Sequence, residues 1–382
     1  MKKLVSIIVM AAMSLSVFTA CGESKNNSSN TSTNFETVEG DTTFGLNPFA
    51  ERQTLRVGYF AGSPLSLPWY IADQEGFFDE LNIDVEYETF TNGPAMIEAN
   101  SDWDVAGTGI GGALTAMIGY DIKTIGISDY EENVGLFVRE DSEIAKNPDN
   151  PESWKGTTWL YPNGTTAQPV LAAKLGSMGL GLNDIKSVNM DISSALTAFI
   201  GGEGDGLGVW NAIAFNAEDE GYIRVTDAGQ LEIPTPCATF ATDEALANKE
   251  PLIVTAYTVF YKTVDWIYES DENMKKASEY YLANCEEEGI ACDESLAERI
   301  MEVYKCPGYE ENYNLLTEKT TDYAGKYSEE ITKAENDFLY LLDYFISENK
   351  YTEEDRTKLL DGGYVDSSIA LKSKELMDSL NK

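Results

Sequence analysis

The stretch with the clearest chemical potential is Trp103–Gly119, WDVAGTGIGGALTAMIG. Gly107, Gly109 and Gly112 stand there as G-x-G-x-x-G, letting the chain turn sharply and bringing bare backbone N–H groups to a helix start. Such a start carries partial positive charge and unsatisfied donors, so it suits an anionic group. Ile110, Ala113, Leu114, Met117 and Ile118 then recur at the spacing of one buried helix face. Acid–base chemistry is restricted. The sequence has no histidine, which removes Ser-His-Asp and Cys-His arrangements, histidine-bearing zinc sites and a histidine general base. Asp, Glu, Lys, Tyr or Cys would have to move any proton, and the expectation is a binding protein rather than an enzyme.

The elements that must position this turn alternate between strand and helix. Thr54–Tyr59 (TLRVGY) reads as a strand, Gly62–Tyr70 as a loop entering a helix that runs to about Phe78, and Ile83–Tyr87 as a second strand. Asn92-Gly93-Pro94 opens another helix, with proline suited to a first turn. The glycine turn follows, then strands at Ile122–Ile127 and Val134–Arg139. A second series starts with Trp154–Tyr161 leading into Asn163–Gln168 and its helix. Strands at Ile185–Asn189 and Gly206–Trp210, with a short helix at Ser193–Ile200 between them, precede strands at Tyr222–Thr226 and Ala238–Thr242. This order predicts largely parallel sheets flanked by helices. From about Thr242 the chain turns helical and acidic, with long helices at Leu252–Ser270 and Glu272–Glu288.

The chain has 382 residues, with 27 Lys+Arg against 65 Asp+Glu, a net charge of −38. That surface repels phosphate backbones and argues against nucleic acid as a partner. At the N-terminus, Lys2 and Lys3 precede an apolar run, Leu4–Ala20, too short for a comfortable membrane span, ending in VFTAC with Cys21. This resembles the lipobox of bacterial lipoproteins, with Phe18 where leucine is usual. It implies residues 1–20 as a signal peptide, lipidation at Cys21, and anchoring to the outer face of the bacterial cell membrane. Residues 21–53 are Ser-, Asn- and Thr-rich and read as a flexible tether. Of the later cysteines, Cys285 with Cys292 or Cys306 are candidate pairs, and free thiols are equally open for these and for Cys237. No C-x-x-C pair supports a metal site, and no cofactor is expected.

The order of these pieces resembles the substrate-binding lipoproteins of ABC importers of the nitrate/sulfonate/taurine type. The matching segments are LRVGY ending at Tyr59, IADQEGFF ending at Phe78, DVAGTG from Asp104, WKG from Trp154, NGTT from Asn163, FIGG from Phe199 with GDGLGVW ending at Trp210, and YVDSS from Tyr364. The resemblance covers residues 54–242 well and the last third weakly. Two departures are Gln168, where many members place histidine, and a longer helical C-terminal region. What it implies is an α/β, two-lobed, periplasmic-binding-protein-like (type II) fold with an extended helical C-terminal region. Residues 54–137 and 239–382 would form the first lobe and residues 138–238 the second, with hinges near Phe137 and Thr239. A small solute would be captured between the lobes and delivered to a membrane permease and its ATPase.

Ligands of open parallel sheets sit beyond the carboxyl ends of the strands. The turns there supply Ser63, Leu65 and Ser66; Thr108 and Gly109; Asn163, Thr165, Thr166 and Gln168; and Trp210 with Asn211. Their N–H groups and hydroxyls suit sulfonate, carboxylate or nitrate oxygens, although plain helix capping uses the same residue types. Asp129 and Tyr130 begin an acidic run through Glu132 that would accept an ammonium, making an anionic or zwitterionic solute the expectation. Trp69, Tyr70, Tyr130 and Trp210 are candidate cleft walls. Three other readings stand beside this one: a dinucleotide site at G-x-G-x-x-G, disfavoured because it follows a third strand; an exported enzyme on the same fold; and a surface protein docking a basic partner.

Overall fold

A computed structural model of the chain describes residues 35–60, 62–90 and 93–380. The signal peptide, Cys21 and the tether up to residue 34 lie outside the described residues. In order, the first half of the fold is β1 (Gln53–Phe60), α1 (Leu67–Gln74), β2 (Ile83–Phe90), β3 (Val105–Thr108), α2 (Ile110–Leu114, continued by a π-turn to Gly119) and β4 (Lys123–Tyr130). Then come β5 (Gly135–Val138), β6 (Thr158–Tyr161), α3 (Ala167–Ser177), β7 (Lys186–Asn189), β8 (Gly206–Val209), α4 (Asn211–Asp219), β9 (Ile223–Asp227) and β10 (Pro236–Ala241). The principal helices after that are α5 (Asp243–Glu269), α6 (Asp271–Glu287), α7 (Glu294–Val303) and α8 (Lys333–Ser347).

Two five-stranded sheets result, ordered β2-β1-β3-β10-β4 and β7-β6-β8-β5-β9. Within the first, β1 runs parallel to β2 and β3, and β10 runs antiparallel to β3 and β4. Within the second, β6 runs parallel to β7 and β8, and β5 runs antiparallel to β8 and β9. Each sheet therefore takes in, beside its outermost strand, one strand arriving from the other lobe. The chain crosses between lobes at residues 131–134 and 228–235. Phe137 and Thr239 lie past those crossings, inside β5 and β10. Both strands are buried along their whole length, so pairing begins almost as soon as the chain arrives.

The core of the first lobe lies between its sheet and α5. Leu252, Ile253, Val259, Phe260, Val264 and Ile267 of α5 are all buried, each such side chain worth roughly 1.5–3 kcal/mol against exposure. Pro251 bends α5 near its start, where Lys249 leaves helical geometry. Trp69 belongs to this core rather than to a cleft wall. Its ring stacks on Phe78 and Tyr257 and meets Phe260 with centroids 5.0 Å apart, because α1 presses its apolar face onto α5. Trp154, at the head of the second series, ends the short helix Pro151–Trp154 and stacks on Trp159 at 5.0 Å and 2°.

Residues 35–50, expected as tether, pack on the body. Leu46 and Phe49 are buried, Phe49 N–H donates to the Leu81 carbonyl, and Phe44 meets Phe77 at 4.5 Å. Their irregular spacing hides a buried surface that periodicity alone does not reveal. Among the described residues no helix is long and apolar enough to cross a membrane.

Candidate functional site

The carboxyl edges of the two sheets meet, and the contact has three polar parts. The central part is Glu131, first residue of the crossing after β4. Its buried carboxylate accepts a hydrogen bond from the Thr166 hydroxyl of the other lobe at 3.2 Å. The same carboxylate lies at the start of α2, with Oε2 3.2 Å from where a Cβ on Gly109 would sit. Glu131 N–H donates to the Thr235 carbonyl in the return crossing, so both crossings are tied at this residue. Burial pushes the Glu131 carboxyl up to about 7, offset partly by Thr166 and the Cys237 thiol. Asp129, at the end of β4, is pushed up to about 8 by burial first and by the Glu131 charge second, and it accepts from Lys305 N–H at 2.8 Å. No ion pair to Asp129 or Glu131 forms among the described residues. The Asn133 side-chain NH2 and the Thr235 hydroxyl beside them are buried without a hydrogen-bond partner among the described residues.

The second part is a backbone approach. A Cβ on Gly111 would lie 2.5 Å from the Gly164 carbonyl oxygen, so only glycine lets α2 touch the loop before α3. That loop turns through Gly164 at φ +80°, and its N–H donates to Gln168 Oε1. Gln168 Oε1 also accepts from Lys350, which follows α8 in the first lobe, at 2.5 Å.

The third part is at the far side. The Arg299 guanidinium of α7 pairs with Glu218 at 2.8 Å and Asp219 at 2.8 Å on α4. It also lies 4.4 Å from the centroid of Phe215, which is itself buried in the first lobe's core.

Gly109, Asp129, Thr166 and Gln168 thus gather at the lobe junction. Thr108 is buried, its side chain filling the space beside Gly112. Ser63 caps the turn before α1 by accepting from Leu65 N–H at 3.4 Å, and the Ser66 hydroxyl donates back to the Ser63 carbonyl. Leu65 packs beside Gly107. Thr165 donates to the Pro162 carbonyl at 2.8 Å, and exposed Asn163 gives its N–H to the Asn189 side chain. These are capping and turn roles. Tyr130 donates to Asp337 at 2.7 Å. Trp210 is half-buried ahead of α4, and Asn211 holds left-handed geometry at φ +49°. Lys350 and Arg299 carried no signal in the sequence, Cys237 stood there only as a thiol, and Glu131 only as a member of the acidic run. Cys237, Cys285, Cys292 and Cys306 are free thiols, and no group of three acidic or cysteine side chains fit for a metal occurs among the described residues.

A sequence model of the NMT1/THI5-like family matches residues 63–273, more than half of the chain and all of both crossings. The chain belongs to the NMT1/THI5-like family. Among curated relatives, this NMT1/THI5-like chain is 25% identical over 229 residues to a candidate binding protein of Brucella abortus (strain 2308), spanning 57% of this chain and 68% of the relative. Among solved structures, it resembles the periplasmic aliphatic sulphonate binding protein SsuA from Escherichia coli, with TM-score 0.61, 16% identity, and coverage of 80% of this chain and 91% of that one. It also resembles the desulfurization enzyme DSZB, with TM-score 0.56, 13% identity, and coverage of 85% and 99%. These likenesses show the two-lobed, periplasmic-binding-protein-like fold, a fold shared by binding proteins and by an enzyme.

Proposed function

We propose that this NMT1/THI5-like chain is the extracytoplasmic solute-binding component of an ABC importer, closing its two lobes on a small zwitterionic organic solute. The observation that carries the reading is Glu131: a buried carboxylate with no basic partner among the described residues, bridged to Thr166 across the lobes and seated at the start of α2. An ammonium answers the carboxylate, and an acid group answers the N–H groups at the helix start beside it. A solute carrying both, such as an amino-sulfonate, matches better than nitrate or a simple sulfonate, which an ionised Glu131 would repel. The solute's ammonium removes the cost of burying Glu131, so binding favours the closed form and closure reports occupancy to a permease.

Two further observations support binding over chemistry. The sequence has no histidine, and the Cys237 thiol at the junction is held well above its ordinary range by burial and by Glu131, which suppresses the thiolate. The lipid anchor at Cys21 belongs to the same proposal. Labelled palmitate should enter the wild type and not Cys21→Ala.

The deciding experiment is a thermal-shift screen of the purified chain with taurine, ethanesulfonate and nitrate. Taurine should raise the melting temperature more than ethanesulfonate, and Glu131→Gln should erase that preference. If amino-sulfonates and amino acids leave the melting temperature unchanged while nitrate or ethanesulfonate raises it, the zwitterion assignment fails. If no solute raises it and deletion of the gene leaves uptake intact, the receptor reading fails.

A further inference from the structure

A cavity opens at the same carboxyl edge, beyond β1 and β2, with Ser66 of the turn before α1 at its side. Its volume is about 160 Å³, and Tyr59, Tyr70, Tyr87, Asn284, Glu287 and Glu288 contribute its walls. Every one of them lies in the first lobe, on β1, α1, β2 or the end of α6. The cavity lies beyond β1, one strand from β3, at whose end the Glu131 carboxylate meets Gly109, and none of the six comes from the second lobe.

Three observations define what the cavity fits. The Tyr59 and Tyr87 rings stand at 83° with centroids 5.8 Å apart, forming a corner of aromatic surface. Two carboxylates close the other side: Glu288 accepts from the Tyr59 hydroxyl, and Glu287 lies within hydrogen-bond reach of the Tyr70 hydroxyl. Neither carboxylate forms an ion pair among the described residues, and no lysine or arginine lines the cavity. The Tyr87 hydroxyl is fully buried and has no hydrogen-bond partner among the described residues. A buried phenol oxygen left open beside two uncompensated carboxylates needs a donor that also carries positive charge.

We infer that this cavity is a binding site for a small organic ammonium ion bearing N–H groups, held by Glu288, Glu287 and the Tyr87 oxygen against the Tyr59 ring. The volume lies below that of drug-sized pockets, roughly 300–1,000 Å³, and restricts the occupant to a few heavy atoms. N–H groups are required because the open Tyr87 oxygen accepts a hydrogen bond that a fully methylated ammonium lacks. The site does not depend on lobe closure.

Isothermal titration of the full chain with ethylammonium chloride tests this, with tetramethylammonium and potassium as controls. Saturable ethylammonium binding is expected, weakened at least tenfold by Glu288→Gln and severalfold by Tyr87→Phe, which removes only the unpartnered hydroxyl and leaves the packing ring. Unchanged melting temperatures in the variants would establish that they fold. Retention of binding in Glu131→Gln supports a site separate from the lobe junction. Loss in Glu131→Gln with retention in Glu288→Gln overturns the assignment and moves the ammonium to the junction. Equal binding of tetramethylammonium or potassium, or no saturable heat, also overturns it.

Discussion

Replacing Gly111 by alanine should separate lobe closure from folding. The new Cβ would sit 2.5 Å from the Gly164 carbonyl oxygen, whereas ordinary contact begins near 3.4 Å, so the two lobes must part by roughly 0.9 Å at this point. The Gly164 loop cannot give easily, since its N–H is tied to Gln168 and Gln168 is tied to Lys350. Overpacking of this kind costs about 1–3 kcal/mol. Applied only to the closed form, that lowers its population relative to the open form by about 5- to 150-fold. The lobe itself should not suffer, because alanine favours a helix over glycine by about 1 kcal/mol. Gly112→Ala is the internal control. Its Cβ would meet Thr108 Cγ2 at 2.5 Å inside the same lobe, so it should lower the melting temperature directly. Small-angle scattering with taurine titration reads the outcome. Gly111→Ala should stay expanded and bind weakly while melting normally, and a variant as compact and as tight-binding as the wild type would refute the closed-lobe geometry.

Glu131→Gln should remove a pH dependence. The folded carboxyl sits near 7 against an ordinary 4.5, so between those values the folded form keeps a proton the unfolded chain has lost, and stability falls as pH rises. The variant should gain up to roughly 3 kcal/mol over the wild type at pH 8 and nothing at pH 4; equal offsets in melts at both pH values would sink this. Arg299→Met should loosen the far-side clasp by about 1 kcal/mol, seen as a solute dissociation rate about fivefold faster at low salt, with the difference fading in 1 M salt. Cys285 and Cys292 lie within hydrogen-bond reach, and Cys292 lowers the Cys285 thiol. Mild oxidation should therefore link these two and spare buried Cys237 and Cys306, as non-reducing peptide maps would reveal; a cross-link through Cys237 would contradict the packing.

Much of the fold was legible because its signals are local. Alternation in TLRVGY, the glycine turn and the helical apolar stripes each predict one element, and the two βα series predict two sheets. Which strands cross between lobes was legible only to within a few residues, because β5 and β10 are apolar throughout and carry no mark of where pairing starts. Trp69 shows the limit at the site. An aromatic just inside a helix start suits a cleft wall or a core equally, and only the position of α5, nearly two hundred residues on, decides for the core. The same holds for Lys350 and Gln168, which are 182 positions apart. Glu131 was in view as part of an acidic run, but what sets it apart from Glu132 is burial at the junction, a tertiary property.

The charge pattern explains why closure can depend on the solute. Burying an ionised Glu131 in the empty closed form costs on the order of 3 kcal/mol near pH 8, from a carboxyl held near 7. Three polar pairs oppose that cost: Lys350 with Gln168, Arg299 with Glu218, and Arg299 with Asp219. Links of these kinds contribute about 1 kcal/mol each. The two sums nearly cancel, leaving open and closed forms of similar free energy. A solute ammonium that neutralises Glu131 then removes most of the opposing cost, a shift of up to roughly a hundredfold towards the closed form. An anion alone would add to the repulsion and hold the lobes apart. On this reading the acidic junction makes closure depend on the ammonium.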